Sequence, residues 1–587
     1  MDKLRIESIR NRIAELPSGG ITYKTINGKK YAYYQWTENG KQRSRRISDD
    51  EIPAMMEQIS ERKALQQELK KSGAGKGDTE PAFFAEVKLG DSLKSFVLPA
   101  AKLKKRTCYQ MLSDYIYGDS IDKVLVLYGL RRTGKTTLIR QVIAGMPDEM
   151  LRKTAFIQLR PGIGIAEINS DLRILEKQGI RYLFLDEVTL MTDFIEGAAL
   201  FSDIYAASGM KVVLSGTDSL GFAIAARDQL YDRCFTVHTT FIPYREFSEV
   251  LGIHSVDDYI RYGGTMSLGG VNYNTSASPF ADRDTAEQYV DSAIAHNIQH
   301  SLKNYREGGR FRALLDLYEN GELTNVINRV VEDINHRFTL EILTRTFRSA
   351  DLSITAKNLI KDKSDPTDVL YRIDTAAVTN QMKEMLSILN QSESKVEITD
   401  AHRSEIAEYL KILELTDEIG VIGSDNIAPY TYRTVVTQPG LRYSQAEALI
   451  HALTQDNVFA ALSAQERSRI TERILNEVKG RMLEDIILLE TKLARPDCRV
   501  FKLEFAIGEF DMVIADPGKL TCEIFEIKHS KQLAPEQYRY LADTDKCKDT
   551  EFRFGTIVRK CVIYRGESTQ MNGIEYKNAE EYLCSLR

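Results

Sequence analysis

Residues 124–137 read VLVLYGLRRTGKTT, and no other stretch of the chain constrains its fold as tightly. A short, wholly apolar run ending in Gly129 reads as a buried strand, and Gly134-Lys135-Thr136 opens a helical pattern. The spacing G-x-x-x-x-G-K-T is that of a phosphate-binding loop, the Walker A motif. Glycines let successive backbone N–H groups curl around a phosphate at the positive end of the following helix. Lys135 then reaches the β- and γ-phosphates, and the Thr136 hydroxyl serves as a Mg²⁺ ligand. The candidate ATP contacts are Gly129, Leu130, Arg131, Arg132, Thr133, Gly134, Lys135, Thr136 and Thr137.

Downstream, apolar runs alternate with helical patterns: TAFIQL (154–159), YLFLD (182–186), KVVLS (211–215) and FTVHTTF (235–241). Apolar strands separated by helices predict a parallel sheet covered on both faces, an α/β domain. Asp186 ends one such strand in LFLDE, a Walker B pattern, and is placed to bind the Mg²⁺ shell. Glu187 beside it is placed to polarise the attacking water. Ser215 and Thr217 follow the next strand, at the carboxyl edge where ligands of open α/β sheets sit. Arg233 lies just before the fifth strand, where an arginine finger projects towards a neighbouring subunit's γ-phosphate, with Arg227 as its competitor. That placement predicts a homo-oligomer.

At 587 residues the chain is too long for one hydrophobic core. It divides into a basic three-stranded β-meander (1–48), a charged helix and linker (49–82), the P-loop core (83–245), a helical lid and helical region (246–390), a winged-helix-like region (391–465) and a final α/β domain (466–587). The last is expected to open with a helix and continue as antiparallel strands. The meander rests on Asn27-Gly28 and Asn39-Gly40, both turn signals flanked by aromatic and β-branched runs. Ser48 with Glu51 reads as a capping box.

Net charge is −6, yet residues 1–48 hold eleven Lys/Arg against four Asp/Glu. Lys29, Lys30, Lys41, Arg43, Arg45 and Arg46 interleave with Trp36 and three tyrosines, offering phosphate contacts and aromatic faces together. This is the candidate nucleic-acid surface, with DNA the favoured polymer. No apolar run approaches a membrane span. Seven cysteines without a CxxC pair argue against a zinc site or disulfide framework and point to free thiols in a reducing cytoplasm.

In residues 508–530, GEFDMVIADPGKLTCEIFEIKHS, Asp511 and Glu526-Ile-Lys528 sit on strands either side of a DPGK turn. Pairing Ala515 with Leu520 sets Asp511 opposite Ile524. It places Asp511, Glu526 and Lys528 on one face, with apolar Phe510, Phe525 and Ile527 on the other. Glu484, in the helix GRMLEDIILLE, could complete the cluster. Three carboxylates repel one another unless a cation stands between them, and Lys528 alone cannot neutralise three. The set therefore predicts a hard divalent ion, Mg²⁺ or Mn²⁺, held by Glu484, Asp511 and Glu526.

Walker A, LFLDE, VVLSGTDS and the strand-preceding Arg233 resemble the AAA+ branch of P-loop ATPases. FIPYREF (241–247), DDYIRYGG (257–264) and VVTQPGLRY (435–443) look like a prokaryotic group within it. That group carries a helical lid, a winged-helix region and a C-terminal nuclease-like domain; the resemblance covers about residues 95–587. Helix Glu, strand Asp and E-x-K resemble the PD-(D/E)XK nuclease superfamily, although the Asp here follows GEF and not Pro. In that superfamily's terms, Gln537 would help orient the substrate. The meander resembles small basic hairpin modules of mobile-element and integrase-type proteins. Together these imply an ATP-driven enzyme with a metal-dependent nuclease on the same chain. The competing reading is a nucleotide-dependent switch or scaffold whose nuclease-like domain binds without cutting.

Overall fold

A computed structural model describes residues 12, 16–17, 20–26, 29–38, 41–48, 51–71, 83–191, 193–266, 289–295, 302, 311–352, 397–423, 431–455, 459 and 462–586. The chain forms two compact units, Met1–Phe83 and Phe84–Arg587. The first contains β1 (Gly20–Ile26), β2 (Lys29–Glu38) and β3 (Lys41–Arg46), an antiparallel sheet in sequence order, followed by α1 (Glu51–Lys71). The pairs run Ile21↔Tyr34 on one side of β2 and Tyr34↔Arg45 on the other. The Ser48 N–H donates to Glu51 Oε2 at 3.0 Å, tying the sheet to the start of the helix. Both Asn-Gly turns and the 72–82 linker lie outside the described residues, as do the side chains of Lys29, Lys30, Trp36, Lys41 and Arg43. Arg45 and Arg46 are exposed.

The second unit opens on a six-stranded sheet. Its strands are β4 (Glu86–Lys88), β5 (Val124–Tyr128), β6 (Thr154–Gln158), β7 (Tyr182–Asp186), β8 (Lys211–Gly216) and β9 (Cys234–His238), ordered β4-β6-β7-β8-β5-β9. β4 is antiparallel and the rest are parallel. Strand residues Leu125, Leu127, Phe156, Phe184 and Val213 share one buried cluster with Leu138, Ile139 and Val142 of α2 (Lys135–Ala144). The run read as FTVHTTF leaves the sheet at His238, and Thr239 and Thr240 turn instead to the phosphate loop.

Beyond it come α3 (Tyr244–Leu251), α4 (Val256–Tyr262), α5 (Asp400–Ile412), α6 (Pro439–Thr454) and α7 (Ala464–Ala494). Much of the helical region between α4 and α5 lies outside the described residues. The second sheet holds β10 (Thr416–Gly423), β11 (Thr431–Val436), β12 (Arg499–Glu504), β13 (Glu509–Asp516), β14 (Thr521–Lys528), β15 (Thr556–Tyr564), β16 (Thr569–Met571) and β17 (Ile574–Asn578), ordered β11-β10-β12-β13-β14-β15-β17-β16.

Two expectations are corrected here. Within the region expected to be winged-helix-like (391–465), the β10–β11 hairpin joins this sheet through parallel pairing of Gly420–Gly423 with β12. The final strands are also not all antiparallel: β14–β15 and β15–β17 run parallel. The reason is α8 (Thr544–Phe554), which returns the chain across the sheet so that β15 starts again at the same end as β14.

One buried cluster joins the helices to the sheet. Tyr244, Val256, Tyr259, Leu449, Ile474 and Ile487 pack with Ile419, Met512, Phe525 and Ile563.

Candidate functional site

The strand order places β8 between the strand that leads into the phosphate loop and the strand that ends in Asp186. Because β5, β7 and β8 are parallel, their carboxyl ends meet on one edge, and the loop, the acidic pair and Thr217 converge there. Gly129 and Gly134 take φ of 146° and 92°, the left-handed region open mainly to glycine. A Cβ on Gly129 would also meet Thr239 Oγ1 at 2.5 Å.

Lys135 Nζ donates to the carbonyls of Gly129 and Leu130, each at 2.8 Å. Burial brings its pKa down to about 8 against the opposing pull of Glu187 and Asp186. Thr136 Oγ1 donates to Asp186 Oδ2 at 2.7 Å. Hydroxyl and carboxylate thus stand together where a hard cation of a Mg²⁺–nucleotide complex needs oxygen ligands, and the pair fits one. Glu187 holds an unusual left-handed φ of 59°, and its Oε2 accepts from Thr217 Oγ1 at 3.2 Å. Burial, then the neighbouring Asp186 charge, raises its proton affinity. Ser215 is fully buried and its Oγ has no hydrogen-bond partner.

A buried arginine outside the loop braces it. Arg106 is 6% exposed. Its Nη1 donates to the carbonyl oxygens of Thr133 and, at 2.9 Å, Thr239. Its Nη2 donates to Phe241 O at 3.0 Å, and the guanidinium pairs with buried Glu246. Glu246 lies in FIPYREF, where a carboxylate among apolar residues was the one available hint. Its partner is 140 positions away, beyond any periodicity argument.

Arg233 stands at the amino end of β9, the opposite end of the parallel sheet from the phosphate loop. Its exposed guanidinium pairs with Asp203, so it does not meet its own chain's nucleotide edge. Arg227 is exposed in the last turn of Ser219–Asp228.

The C-terminal residues do come together, but differently from the expectation. β13 pairs with β14 through Ala515↔Cys522 and Met512↔Phe525, two positions from the expected register. Asp516 Oδ1 accepts from the Gly518 and Lys519 N–H groups, both at 3.0 Å, which moves the turn along the chain. A slip of two keeps every side chain on its face. A second departure does not. Phe501 pairs with Val513 but Leu503 pairs with Phe510, so Asp511 and Met512 together oppose Lys502 alone. Such a bulge re-aims side chains. It turns Phe510 into the cluster with Leu503 and Ile524, away from Phe525 and Ile527.

Lys528 Nζ lies 2.9 Å from Asp511 Oδ2 and 2.6 Å from Glu526 Oε2, and the Ile527 N–H also donates to Asp511 at 2.8 Å. Lys502, 1% exposed, lies 2.7 Å from Glu509, 3.7 Å from Glu484 and 3.9 Å from Asp511. Arg481 donates to Glu484 at 2.6 Å. The two central carboxylates are driven apart. Burial and the Asp511 charge push Glu526 well up, while Lys528 and Lys502 overcome burial and hold Asp511 well down.

The inference that only a divalent ion could neutralise three carboxylates is therefore corrected. It omitted Lys502 and Arg481, and with Lys528 they supply the cations. Among the described residues no three His, Cys, Asp or Glu side chains converge as a metal-holding group. Glu526 Oε1 is buried without a hydrogen-bond partner, one open oxygen where a metal centre needs several. The set as arranged does not fit a metal. Gln537 sits in a short 3-10 turn with its amide engaged by Gln532 O at 2.9 Å and the Ala534 N–H at 3.1 Å.

Comparison with known proteins agrees with the first site. Residues 121–248 match the AAA domain family, and residues 3–58 match a domain of unknown function, DUF6788. An uncharacterized protein of Methanocaldococcus jannaschii is 21% identical over 277 residues, 43% of this chain. The match spans 61% of that relative's length. Among solved structures, the Aeropyrum pernix ORC1 protein in complex with DNA aligns with TM-score 0.21 and 14% identity, over 63% of this chain and 98% of that one. The S. cerevisiae Hsp104:casein complex aligns with TM-score 0.24 and 12% identity, over 57% and 60%. At such scores neither likeness bears on the fold. No helix among the described residues is long and apolar enough to cross a membrane.

Proposed function

We propose that this chain binds and hydrolyses ATP at its AAA domain and that the C-terminal sheet reads the nucleotide state. The observation that carries the reading is the meeting of Lys135, Thr136, Asp186, Glu187 and Thr217 on one sheet edge, inside residues that match the AAA domain family. Lys135 is folded onto two loop carbonyls and would exchange them for the β- and γ-phosphates. Thr136 and Asp186 would hold Mg²⁺, whose chemistry is to neutralise charge on the phosphates. Glu187 takes the position of a base that orients the attacking water, and Thr217 keeps its carboxylate aimed. Arg233, exposed at the far sheet end, would complete a neighbouring subunit's site in a homo-oligomer. The basic meander would recruit nucleic acid, DNA before RNA, through Arg45, Arg46 and their strand neighbours.

A second reading is cleavage of nucleic acid at Asp511, Glu526 and Lys528. The split proton affinities of the two carboxylates favour it, since the cations hold Asp511 in its charged form while burial and the Asp511 charge raise the proton affinity of Glu526 beside it. The lysines standing where the metal was expected favour instead a module that binds without cutting.

One assay separates the readings. Purified full-length protein is incubated with ATP and Mg²⁺, alone and with plasmid or single-stranded DNA, and both phosphate release and DNA integrity are followed. Phosphate release with intact DNA supports the first reading, and ATP-dependent cutting supports the second. Neither activity, with Mg²⁺ or Mn²⁺, contradicts both.

A further inference from the structure

Two motifs prominent in the sequence, DDYIRYGG and VVTQPGLRY, contribute no residue to either site, yet they lie between them. The first is carried by α4, a helix of seven residues and so about 10 Å long. At its amino end Asp257 Oδ1 meets His529 Nε2 at 2.8 Å, and Asp257 Oδ2 meets Arg565 Nη1 at 2.7 Å. His529 directly follows Lys528. Arg565 directly follows β15, which pairs in parallel with β14 up to Lys528↔Tyr564.

At the carboxyl end the contacts lead to the nucleotide edge. Gly263 O accepts from the Gly440 N–H at 3.0 Å, and Gly264 O accepts from Gln438 Nε2 at 2.9 Å. Gly264 has φ +112°, and a Cβ there would meet Gln438 Cβ at 2.6 Å, so only glycine allows this approach. Two residues on, the Met266 N–H donates to Arg132 O inside the phosphate loop at 2.9 Å. Gln438 also donates to Tyr289 OH at 3.1 Å, and that hydroxyl donates to Arg131 O at 3.4 Å. Between the two ends Val256, Tyr259 and Ile260 are buried, and Tyr259 OH donates to Ile242 O at 2.7 Å.

We infer that α4 is a lever that carries the state of the phosphate loop to the Asp511/Glu526/Lys528 cluster, with Asp257 as its grip on the C-terminal sheet. The inference rests on the ATP reading above and names how that reading's sensor is driven. Lys135 satisfies the carbonyls of Gly129 and Leu130. A phosphate that takes Lys135 leaves those carbonyls without a donor, and the loop must re-form its hydrogen bonds. Arg131 and Arg132 are in that loop, and their carbonyls are tied to Tyr289 and Met266. A helix hydrogen-bonded along its axis transmits a push without compressing, so displacement at Gly264 reappears at Asp257. There the ion pair with Arg565 and the polar contact with His529 pass it to the residues that follow β15 and β14, and Lys528 is repositioned between its carboxylates. Coupling of this kind is reciprocal in binding free energy.

The test uses the full-length chain. Hydrogen exchange is measured for peptides covering residues 524–532 without nucleotide, with ADP, and with a non-hydrolysable ATP analogue. Nucleotide affinity is titrated in parallel with a fluorescent analogue. The ATP analogue should change exchange at 526–530 in the parent by about fivefold or more, within the usual range of allosteric coupling. Asp257→Asn should bind the analogue within about tenfold of the parent and lose the change. The double variant His529→Asn/Arg565→Gln removes both partners of Asp257 and should lose it too; it decides the matter should Asp257→Asn fail to fold. A parent that binds the analogue without any change at 526–530 overturns the lever, as do variants that keep the full change. A parent that binds no nucleotide overturns the ATP reading itself, and the lever with it.

Discussion

Thr217 Oγ1 donates to Glu187 Oε2 at 3.2 Å, so a residue at the end of β8 steers the acidic residue that follows β7. Glu187 needs steering, because its backbone holds a left-handed φ that non-glycine residues seldom adopt. A hydrogen bond to a charged group contributes roughly 1.5–3 kcal/mol, and each 1.36 kcal/mol of barrier is about tenfold in rate. Thr217→Val should therefore lower kcat for ATP by roughly 10- to 100-fold, with nucleotide affinity near that of the parent. Thr217→Ser should restore most of the rate. Steady-state phosphate release with parallel nucleotide titration measures both. A loss confined to KM would remove Thr217 from the positioning role.

Lys135 supplies a pH dependence. Burial lowers its ammonium pKa to about 8, so the charged form prevails below pH 8 and is lost above it. Phosphate requires the charged form, so binding above pH 8 must take up a proton. ATP affinity should hold steady from pH 6.5 to 7.5 and fall about tenfold by pH 9. Calorimetric titration in buffers of different ionisation enthalpy would report the proton uptake. An affinity that is flat from pH 7 to pH 9 would contradict a buried lysine at the phosphates.

Glu490 on α7 is buried, and burial raises its pKa to about 8 against the Tyr244 N–H that donates to it at 2.7 Å. In the unfolded chain the carboxyl ionises near its ordinary value of 4.5. The protonated form stabilises the fold fully below that value, and the contribution is lost as pH rises through 8. Glu490→Gln cannot ionise and keeps an acceptor for Tyr244. It should flatten the decline in melting temperature between pH 5 and 8. At pH 8 it should be more stable than the parent by an amount on the order of a few kcal/mol. Parallel thermal melts across that range would show it, and identical profiles would contradict it.

The parts of this protein legible in its sequence are those in which local pattern and chemistry coincide. The phosphate loop follows its strand and opens its helix because glycine geometry and motif spacing demand it. The apolar runs before Asp186 and Ser215 had no alternative to a covered parallel sheet. At the C-terminal cluster, face assignment survived a register error of two because side-chain alternation has period two. The Asp511–Met512 bulge had no such protection, and it alone moved Phe510. Lys502 was invisible as a partner because it lies on a third strand, and Arg106 because its partner Glu246 is far along the chain. Long-range ion pairs leave no periodic trace. The parallel return of β15 and the merging of β10–β11 into the same sheet depend on pairing between distant strands, for the same reason.

The central claim is that Glu187 turns over ATP held by Lys135. Its most direct measurement compares bound nucleotide and phosphate release for the parent, Glu187→Gln and Lys135→Ala in a rapid-filtration experiment with radiolabelled ATP and Mg²⁺. The parent should bind ATP and release phosphate. Glu187→Gln should retain intact ATP with turnover reduced by about two orders of magnitude or more, and Lys135→Ala should retain none. Phosphate release by Glu187→Gln at the parental rate would contradict the account.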